Sequence, residues 1–168
     1  MDAKGRIVIP ASFRDTLRAG DPKWSPDQPV RLILNFGDHL RERDPATGKR
    51  TGPGCLRIHT YDSYEEIEAT INAHPIGSRE RRNLSFLYMT QREEMEIDKE
   101  GRIILGADLR RMLGLDEGEV KLLGMSDYLE LWALDRFETG VGADVEDFLD
   151  NLAPGEDPLA LPIAPRGG

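Results

Sequence analysis

Two stretches of the chain, DAKGRIVIPASFRDTL at residues 2–17 and DKEGRIILGADLRRML at residues 98–113, follow one pattern. Seven of the sixteen aligned positions are identical at a constant offset of 96 residues, and three more exchange one apolar residue for another. Two copies are too few for a solenoid, which needs about three or more repeats. The repetition therefore predicts a duplicated half-unit whose halves pack against each other or against another chain.

Each copy begins with the pattern Asp-x-x-Gly-Arg, which predicts a tight turn because glycine readily adopts a positive φ. A short apolar strand follows at residues 7–9 of the first copy. Pro10 then opens a helix, where its missing N–H is not needed. The similarity continues downstream, because residues 56–59 resemble residues 129–132 and both stretches read as strands.

A second helix is expected at the end of each copy. In the first copy we expect it to begin at Asp62 or Ser63, because Ser63 and Glu66 have the spacing of a capping box. In the second copy the helix begins near Asp135, and Gly140 weakens its first turns.

The pattern divides the chain into three parts. Residues 1–78 hold the first repeat, which includes a long polar loop at residues 39–54. Residues 79–152 hold the second repeat, together with a linker helix that leads into an edge strand at residues 92–97. Residues 153–168 are rich in proline and glycine and are expected to form a disordered tail.

The net charge of −9 is distributed unevenly along the chain. Residues 1–92 carry a net charge of +3, whereas residues 93–134 and residues 135–168 each carry −6. Phosphate binding requires Lys and Arg, and a negative total does not exclude a local basic face. Nucleic acid therefore stays among the expected partners.

Several other classes of protein are disfavoured. No stretch approaches the roughly 20 apolar residues that a membrane-spanning helix needs. Cys55 is the single cysteine, so neither an intrachain disulfide nor a cysteine zinc site can form. His39, His59 and His74 lack metal-ligand spacing, and no phosphate-binding loop or catalytic triad is evident. We therefore expect a cytoplasmic non-enzyme without a cofactor, a metal, a membrane anchor or a small-molecule substrate.

The doubled pattern resembles the MraZ family of bacterial transcriptional regulators. The resemblance is carried by Asp-x-Lys-Gly-Arg-Ile-x-Ile-Pro-Ala-x-Phe-Arg at residues 2–14, by Asp-x-x-Gly-Arg-Ile-x-Leu at residues 98–105, and by Glu-Leu-Trp at residues 130–132. It covers residues 2–137 apart from the polar loop. It implies an α+β fold in which two tandem AbrB-like (SpoVT-like) half-units, related by a pseudo-twofold axis, form a β-barrel-like core with flanking helices.

The resemblance also implies a function. The protein would act as a homo-oligomeric ring that binds direct repeats in the promoter of the division and cell-wall gene cluster, as a nucleoid-associated repressor that blocks polymerase. The expected contacts to double-stranded DNA are Lys4, Arg6, Arg14 and Arg102. Asp2 and Asp98 are expected to orient the two turns.

The residues themselves leave alternatives open. Each Asp–Arg pair can simply hold its turn: for Arg6 a DNA contact is favoured, whereas for Arg102 the two roles balance because neighbouring glutamates repel phosphate. The rival functions are a ring that binds proteins rather than DNA, an antitoxin-like module that docks a toxin through the acidic tail, and an enzyme.

The chain departs from the family pattern in three ways. A strand precedes Asp98 but only Met1 precedes Asp2, so we expect the native start to lie upstream. The loop at residues 39–54 is longer than usual. Gly106 stands where the first copy has Pro10, and Glu100 stands where it has Lys4.

Overall fold

The structure is a computed structural model that describes residues 1–36, 46–49 and 54–160. The elements of the first copy are β1 (Arg6–Val8), α1 (Ala11–Ala19), β2 (Val30–Phe36), β3 (Leu56–His59) and α2 (Tyr61–Asn72). The elements that follow are α3 (Arg79–Leu84), a π-helical turn (Ser85–Met89), β4 (Glu93–Ile97), β5 (Arg102–Ile104), α4 (Ala107–Leu113), β6 (Val120–Met125), β7 (Tyr128–Ala133), α5 (Leu134–Thr139), α6 (Val141–Asp150) and a 3₁₀ turn (Pro158–Ala160). The chain divides into two compact units, Met1–Leu134 and Asp135–Gly168.

The strands form two sheets. β1 and β5 pair as an antiparallel two-stranded ribbon, and the other strands form a five-stranded sheet in the order β4-β2-β3-β7-β6. The predicted α+β class is confirmed, and β4 lies at a sheet edge as expected. The strands of the described residues do not close into a barrel.

The strand registers relate the two copies to each other. In the ribbon, Ile7 pairs with Ile103, its own counterpart in the repeat. In the sheet, Arg57 pairs with Glu130, which is again its counterpart. The local twofold axis of an antiparallel pair runs between the strands, so symmetry-related residues face each other across it. In both pairs, the residues that face each other thus occupy equivalent positions in the two copies.

A single apolar core joins the ribbon, the sheet and the first helix of each copy. Strand residues alternate between the two faces of a sheet, and one face of each strand points into this core. Burying a Leu or Ile side chain contributes roughly 1.5–3 kcal/mol. The buried members of this core include Ile7, Ile9, Leu17, Leu32, Leu34, Leu56, Ile58, Ile103, Leu105, Leu109, Leu113 and Leu131. Because both copies contribute, neither half buries its apolar face alone.

The predicted start of α2 is corrected. Thr60, not Ser63, is the N-cap of α2, because its hydroxyl accepts the Ser63 N–H at 3.0 Å. A threonine one turn earlier therefore takes the role that the capping-box spacing assigned to Ser63. The helix expected near Asp135 begins at Leu134, as predicted, but it is divided into α5 and α6 because Gly140 adopts φ −114° and ψ −105°.

Some predictions fall partly outside the described residues. Of the polar loop at residues 39–54, only residues 46–49 and Gly54 are described, and His39 lies outside them. Of the predicted tail, residues 161–168 also lie outside. Among the helices that the structure describes, none combines the length and the apolar character needed to cross a membrane.

Candidate nucleic-acid interface

Asp2 organises the first turn, residues 2–6. Its Oδ1 accepts the backbone N–H groups of Lys4 and Arg6, both at 3.0 Å, and its Oδ2 accepts Nε of Arg6 at 2.6 Å. The N–H of Gly5 donates to the Asp2 carbonyl at 2.8 Å, and Gly5 has φ +76°. This positive φ is the backbone conformation that the glycine predicts. The Arg6 side chain is thereby held in place while remaining 38% exposed.

Asp98 organises the second turn, residues 98–102, in the same way. Its Oδ1 accepts the backbone N–H groups of Glu100 at 3.0 Å and Arg102 at 2.8 Å, and its Oδ2 accepts Nε of Arg102 at 2.9 Å. Gly101 has φ +80°. One contact differs between the turns, because Nη2 of Arg102 also donates to the Glu100 carboxylate at 3.0 Å. Arg102 is therefore paired with two acids and Arg6 with one.

The pairing with arginine keeps both aspartates ionised. The side-chain hydrogen bond from Arg6 is the largest influence on Asp2 and lowers the pKa of its carboxyl to about 2. At Asp98, desolvation raises the pKa, but the backbone and side-chain hydrogen bonds from Arg102 outweigh it and leave the pKa below its usual value. The hydrogen bond to Asp98 in turn raises the pKa of Arg102. Charge-assisted bonds of this kind fix geometry well.

The two turns are tied to the opposite half by backbone bonds. The N–H of Ile9 donates to the Gly101 carbonyl at 2.8 Å, and the N–H of Leu105 donates to the Gly5 carbonyl at 2.9 Å. Each bond runs from the end of one copy's ribbon strand to the glycine of the other copy's turn. The position of each turn therefore depends on both halves.

The Arg14 guanidinium lies between the halves, on the second turn. Its Nη1 donates to the Ile9 carbonyl at 2.8 Å, and the space beside Gly101 is filled by the same group, since a Cβ there would lie 2.1 Å from Nη1. Its counterpart Arg110 reaches the first turn, with Nη1 at 3.3 Å from the Asp116 carbonyl and 3.5 Å from that of Ala3. Arg14 is thus half-buried and directed inward, unlike Arg6.

The outer side of the ribbon, which we call the ribbon face, consists of Arg6, Val8, Arg102 and Ile104. Arg6 lies opposite Ile104, and Val8 lies opposite Arg102. Val8 is 63% exposed and Ile104 is 58% exposed, whereas Ile7 and Ile103 between them are buried. On this face the two arginines occupy one diagonal of the four positions, and Val8 and Ile104 occupy the other.

The structure places three of the four predicted DNA contacts together. Arg6 and Arg102 lie on the ribbon face, and Lys4 is exposed in the turn beside Arg6. Arg14 lies beneath, against Gly101. Sequence reasoning missed Val8 and Ile104, although the alternation of inward and outward residues along a strand would have placed them outward.

Two other reactive side chains of the described residues, Cys55 and His59, are buried. Burial raises the pKa of the Cys55 thiol to about 12, so this cysteine is a weak nucleophile. His59 is buried, and its Nε2 lies 3.2 Å from Oδ1 of Asn35. Within the described ranges, no group of three or more His, Cys, Asp or Glu residues is arranged to hold a metal ion.

Comparison with known proteins gives consistent matches. Residues 89–149 match a family model described as "MraZ protein, putative antitoxin-like". The chain is 34% identical to the transcriptional regulator MraZ of Ruegeria sp. (strain TM1040), over 95% of this chain and 87% of that protein. It is 33% identical to the protein of the same name from Ruegeria pomeroyi, with the same coverage. It is 26% identical to that of Lachnoclostridium phytofermentans, over 91% of this chain and 89% of the relative.

Proposed function

We propose, because this chain belongs to the MraZ family of transcriptional regulators, that it binds double-stranded DNA through the ribbon face. The observation that carries the proposal is the position of Arg6, which is held by Asp2 yet directed outward beside exposed Lys4. In the described part of the chain, Nη1 of Arg6 has no hydrogen-bond partner. It is therefore available to a phosphate or to a guanine edge.

The shape of the ribbon supports this assignment. The major groove of B-form DNA is about 12 Å wide and admits a two-stranded β-ribbon. The two turns that end the ribbon carry the cationic side chains, and their backbones are held by hydrogen bonds from both halves. Arg102 enters the proposal as a weaker contact, because its Nη2 lies beside the Glu100 carboxylate as well as that of Asp98, and the second carboxylate lowers the positive potential of that turn. Arg14 enters it by supporting the second turn.

We further propose that subunits assemble into a ring on direct repeats in the promoter of the division and cell-wall gene cluster. One subunit offers few cations, so its affinity alone is weak and falls with salt. Several linked subunits on repeated sites raise the effective concentration of each contact. A ring bound in this way would repress transcription by blocking polymerase, in the cytoplasm and at the nucleoid.

The proposal extends to the architecture of the chain. The two AbrB-like repeats would occupy residues 1–78 and 79–152, and the pairing of Ile7 with Ile103 and of Arg57 with Glu130 supports their pseudo-twofold relation. The shared apolar core between ribbon and sheet supports a barrel-like arrangement.

A second candidate function is a ring that binds proteins rather than DNA. Helix α6 favours it, because Val145, Phe148 and Leu149 are all about half exposed on a helix that also carries four acidic residues. Exposed apolar residues grouped in this way are typical of interaction surfaces. This alternative would be favoured if the protein did not bind DNA even at low salt, or if its affinity for DNA did not depend on the salt concentration.

The direct test is a salt titration of binding to duplex DNA taken from upstream of the chain's own gene, measured by fluorescence anisotropy. We expect Arg6→Ala to weaken binding by about 5-fold to 150-fold, since a specific arginine contact is worth roughly 1–3 kcal/mol. We expect Arg102→Ala to weaken it less. Arg111→Ala is the matched control, because Arg111 is 77% exposed, pairs with Asp108 and belongs to α4 rather than to the ribbon. An Arg6→Ala variant with wild-type affinity would refute the assignment.

A further inference from the structure

The two aliphatic side chains of the ribbon face, Val8 and Ile104, make none of the electrostatic contacts proposed for the arginines. Val8 and Ile104 are more than half exposed although their strand neighbours Ile7 and Ile103 are buried. A strand in a small ribbon could carry polar residues outward at no cost to the core. Two β-branched aliphatic side chains kept in water on the same face therefore call for an apolar group that covers them.

We propose that Val8 and Ile104 contact the 5-methyl groups of thymine bases in the major groove, so that the ribbon face selects A·T pairs beside its arginine contacts. This inference rests on the proposed DNA binding. Apolar contact with the thymine methyl is a recognised form of base readout, and that methyl lies only in the major groove.

The arginines argue for DNA as the occupant of this face. Each aliphatic side chain lies directly opposite an arginine, since Val8 faces Arg102 and Ile104 faces Arg6. A second protein covering this face would have to desolvate both guanidinium groups and supply buried partners for them. A DNA groove instead supplies phosphates and base edges for the arginines together with methyl groups for the aliphatic side chains.

The spacing along each strand is compatible with base steps. Side chains two residues apart on a strand are separated by about 6.6–6.8 Å, and successive bases on one DNA strand are separated by about 3.4 Å. Arg6 and Val8 thus lie about two base steps apart, as do Arg102 and Ile104. The pseudo-twofold relation of the ribbon predicts the same spacing from its two ends.

The experiment compares two duplexes that differ only in the methyl groups. A 60-base-pair duplex from upstream of the chain's own gene is prepared once with thymine and once with deoxyuridine at every thymine position. We expect the wild-type chain to bind the uracil duplex about three- to tenfold more weakly, the loss of one or two buried methyl contacts. We expect the Val8→Ala/Ile104→Ala variant to bind the thymine duplex with that reduced affinity and to lose nothing more on the uracil duplex.

The controls separate the possible failures. Ile76→Ala removes an even more exposed aliphatic residue, 91% exposed and outside the ribbon, and is expected to keep the wild-type preference for thymine. If the wild-type chain bound both duplexes equally, DNA binding would stand and this inference would be overturned. If it bound neither, the proposed function would fall and the inference with it. If the double variant kept the wild-type preference but had a smaller assembly mass by light scattering, the face would be a contact between copies, which also overturns the inference.

Discussion

The two turns of the ribbon have the same backbone and different surroundings. Asp2 and Asp98 accept the same three hydrogen bonds, and Gly5 and Gly101 have φ values within a few degrees of each other. The positions between the aspartate and the glycine of each turn differ, because the first turn carries Lys4 where the second carries Glu100. The comparison shows that the hydrogen-bonding scaffold of the motif constrains Asp, Gly and Arg, whereas the intervening positions are free to change the charge presented to a ligand.

The largest expected difference between the turns concerns their glycines. A Cβ at Gly5 would lie 2.4 Å from the backbone carbonyl oxygen of Leu105, whereas a Cβ at Gly101 would meet the end of the Arg14 side chain. The backbone cannot move aside without breaking the bond between Leu105 and Gly5, but an arginine can. We therefore expect Gly5→Ala to lower the free energy of unfolding by about 4 kcal/mol and Gly101→Ala by about 2 kcal/mol, measured by urea denaturation.

Gly77→Ala is the control for that prediction. Gly77 has φ +82° with nothing within 4 Å, so this variant reports the cost of the positive φ alone, about 1 kcal/mol. Equal losses at Gly5 and Gly101 would show that the two turns are packed alike.

The next difference is in titration. His59 on β3 carries a titratable imidazole, whereas its counterpart in the repeat, Trp132 on β7, carries an indole that does not titrate. Burial, followed by the charge of Arg57, lowers the pKa of His59 from 6.5 to about 4. The folded state thus keeps His59 neutral over a pH range in which the unfolded chain protonates it. Stability is therefore expected to fall as the pH falls from about 6.5 to about 4, by about 3 kcal/mol in total from this residue.

The measurement is urea denaturation at several values between pH 4.5 and pH 7 for the wild type and for His59→Phe. Carboxylates contribute equally to both proteins, so the difference between the two slopes isolates His59. We expect the variant to have the shallower slope. Parallel slopes would mean that His59 is solvated like an exposed histidine.

The smallest expected effect tests the charge difference between the turns directly. Glu100→Lys gives the second turn the cation that the first turn has at Lys4 and releases Arg102 from its second carboxylate. We expect DNA affinity to rise about threefold to tenfold. We also expect the plot of log affinity against log salt concentration to become steeper by about one released counterion. Glu65→Lys on α2 makes the same change in net charge away from the ribbon. An equal rise in both variants would assign the effect to overall charge.

Much of the local structure could be predicted from the repeated pattern. The positive φ at Gly5 and Gly101, the edge strand and the α+β class were all predictable, because each follows from hydrogen bonding or side-chain alternation over a few residues. The start of α2 was predicted wrongly because two residues with capping side chains, Thr60 and Ser63, lie within one turn, and spacing alone does not choose between them. The outward direction of Val8 was available from strand periodicity.

The direction of Arg14 could not be predicted in this way. Its neighbours in sequence place it on the same basic stretch as Lys4 and Arg6, and that proximity favoured a DNA contact. Its guanidinium meets Gly101, which lies 87 residues further along the chain, and its contact with DNA stays a prediction. Arg110 makes the reciprocal contact with the first turn.

The amino-acid sequence by itself determined the two turns, because every bond within each of them joins residues no more than four positions apart. It also determined the repeat that identifies the family. The tertiary structure alone decided that each half supports the other's turn and that Ile7 meets Ile103 while Arg57 meets Glu130. Those contacts form only when segments separated by 73 to 107 residues come together around a shared apolar core, and the geometry of that core depends on all of its members at once.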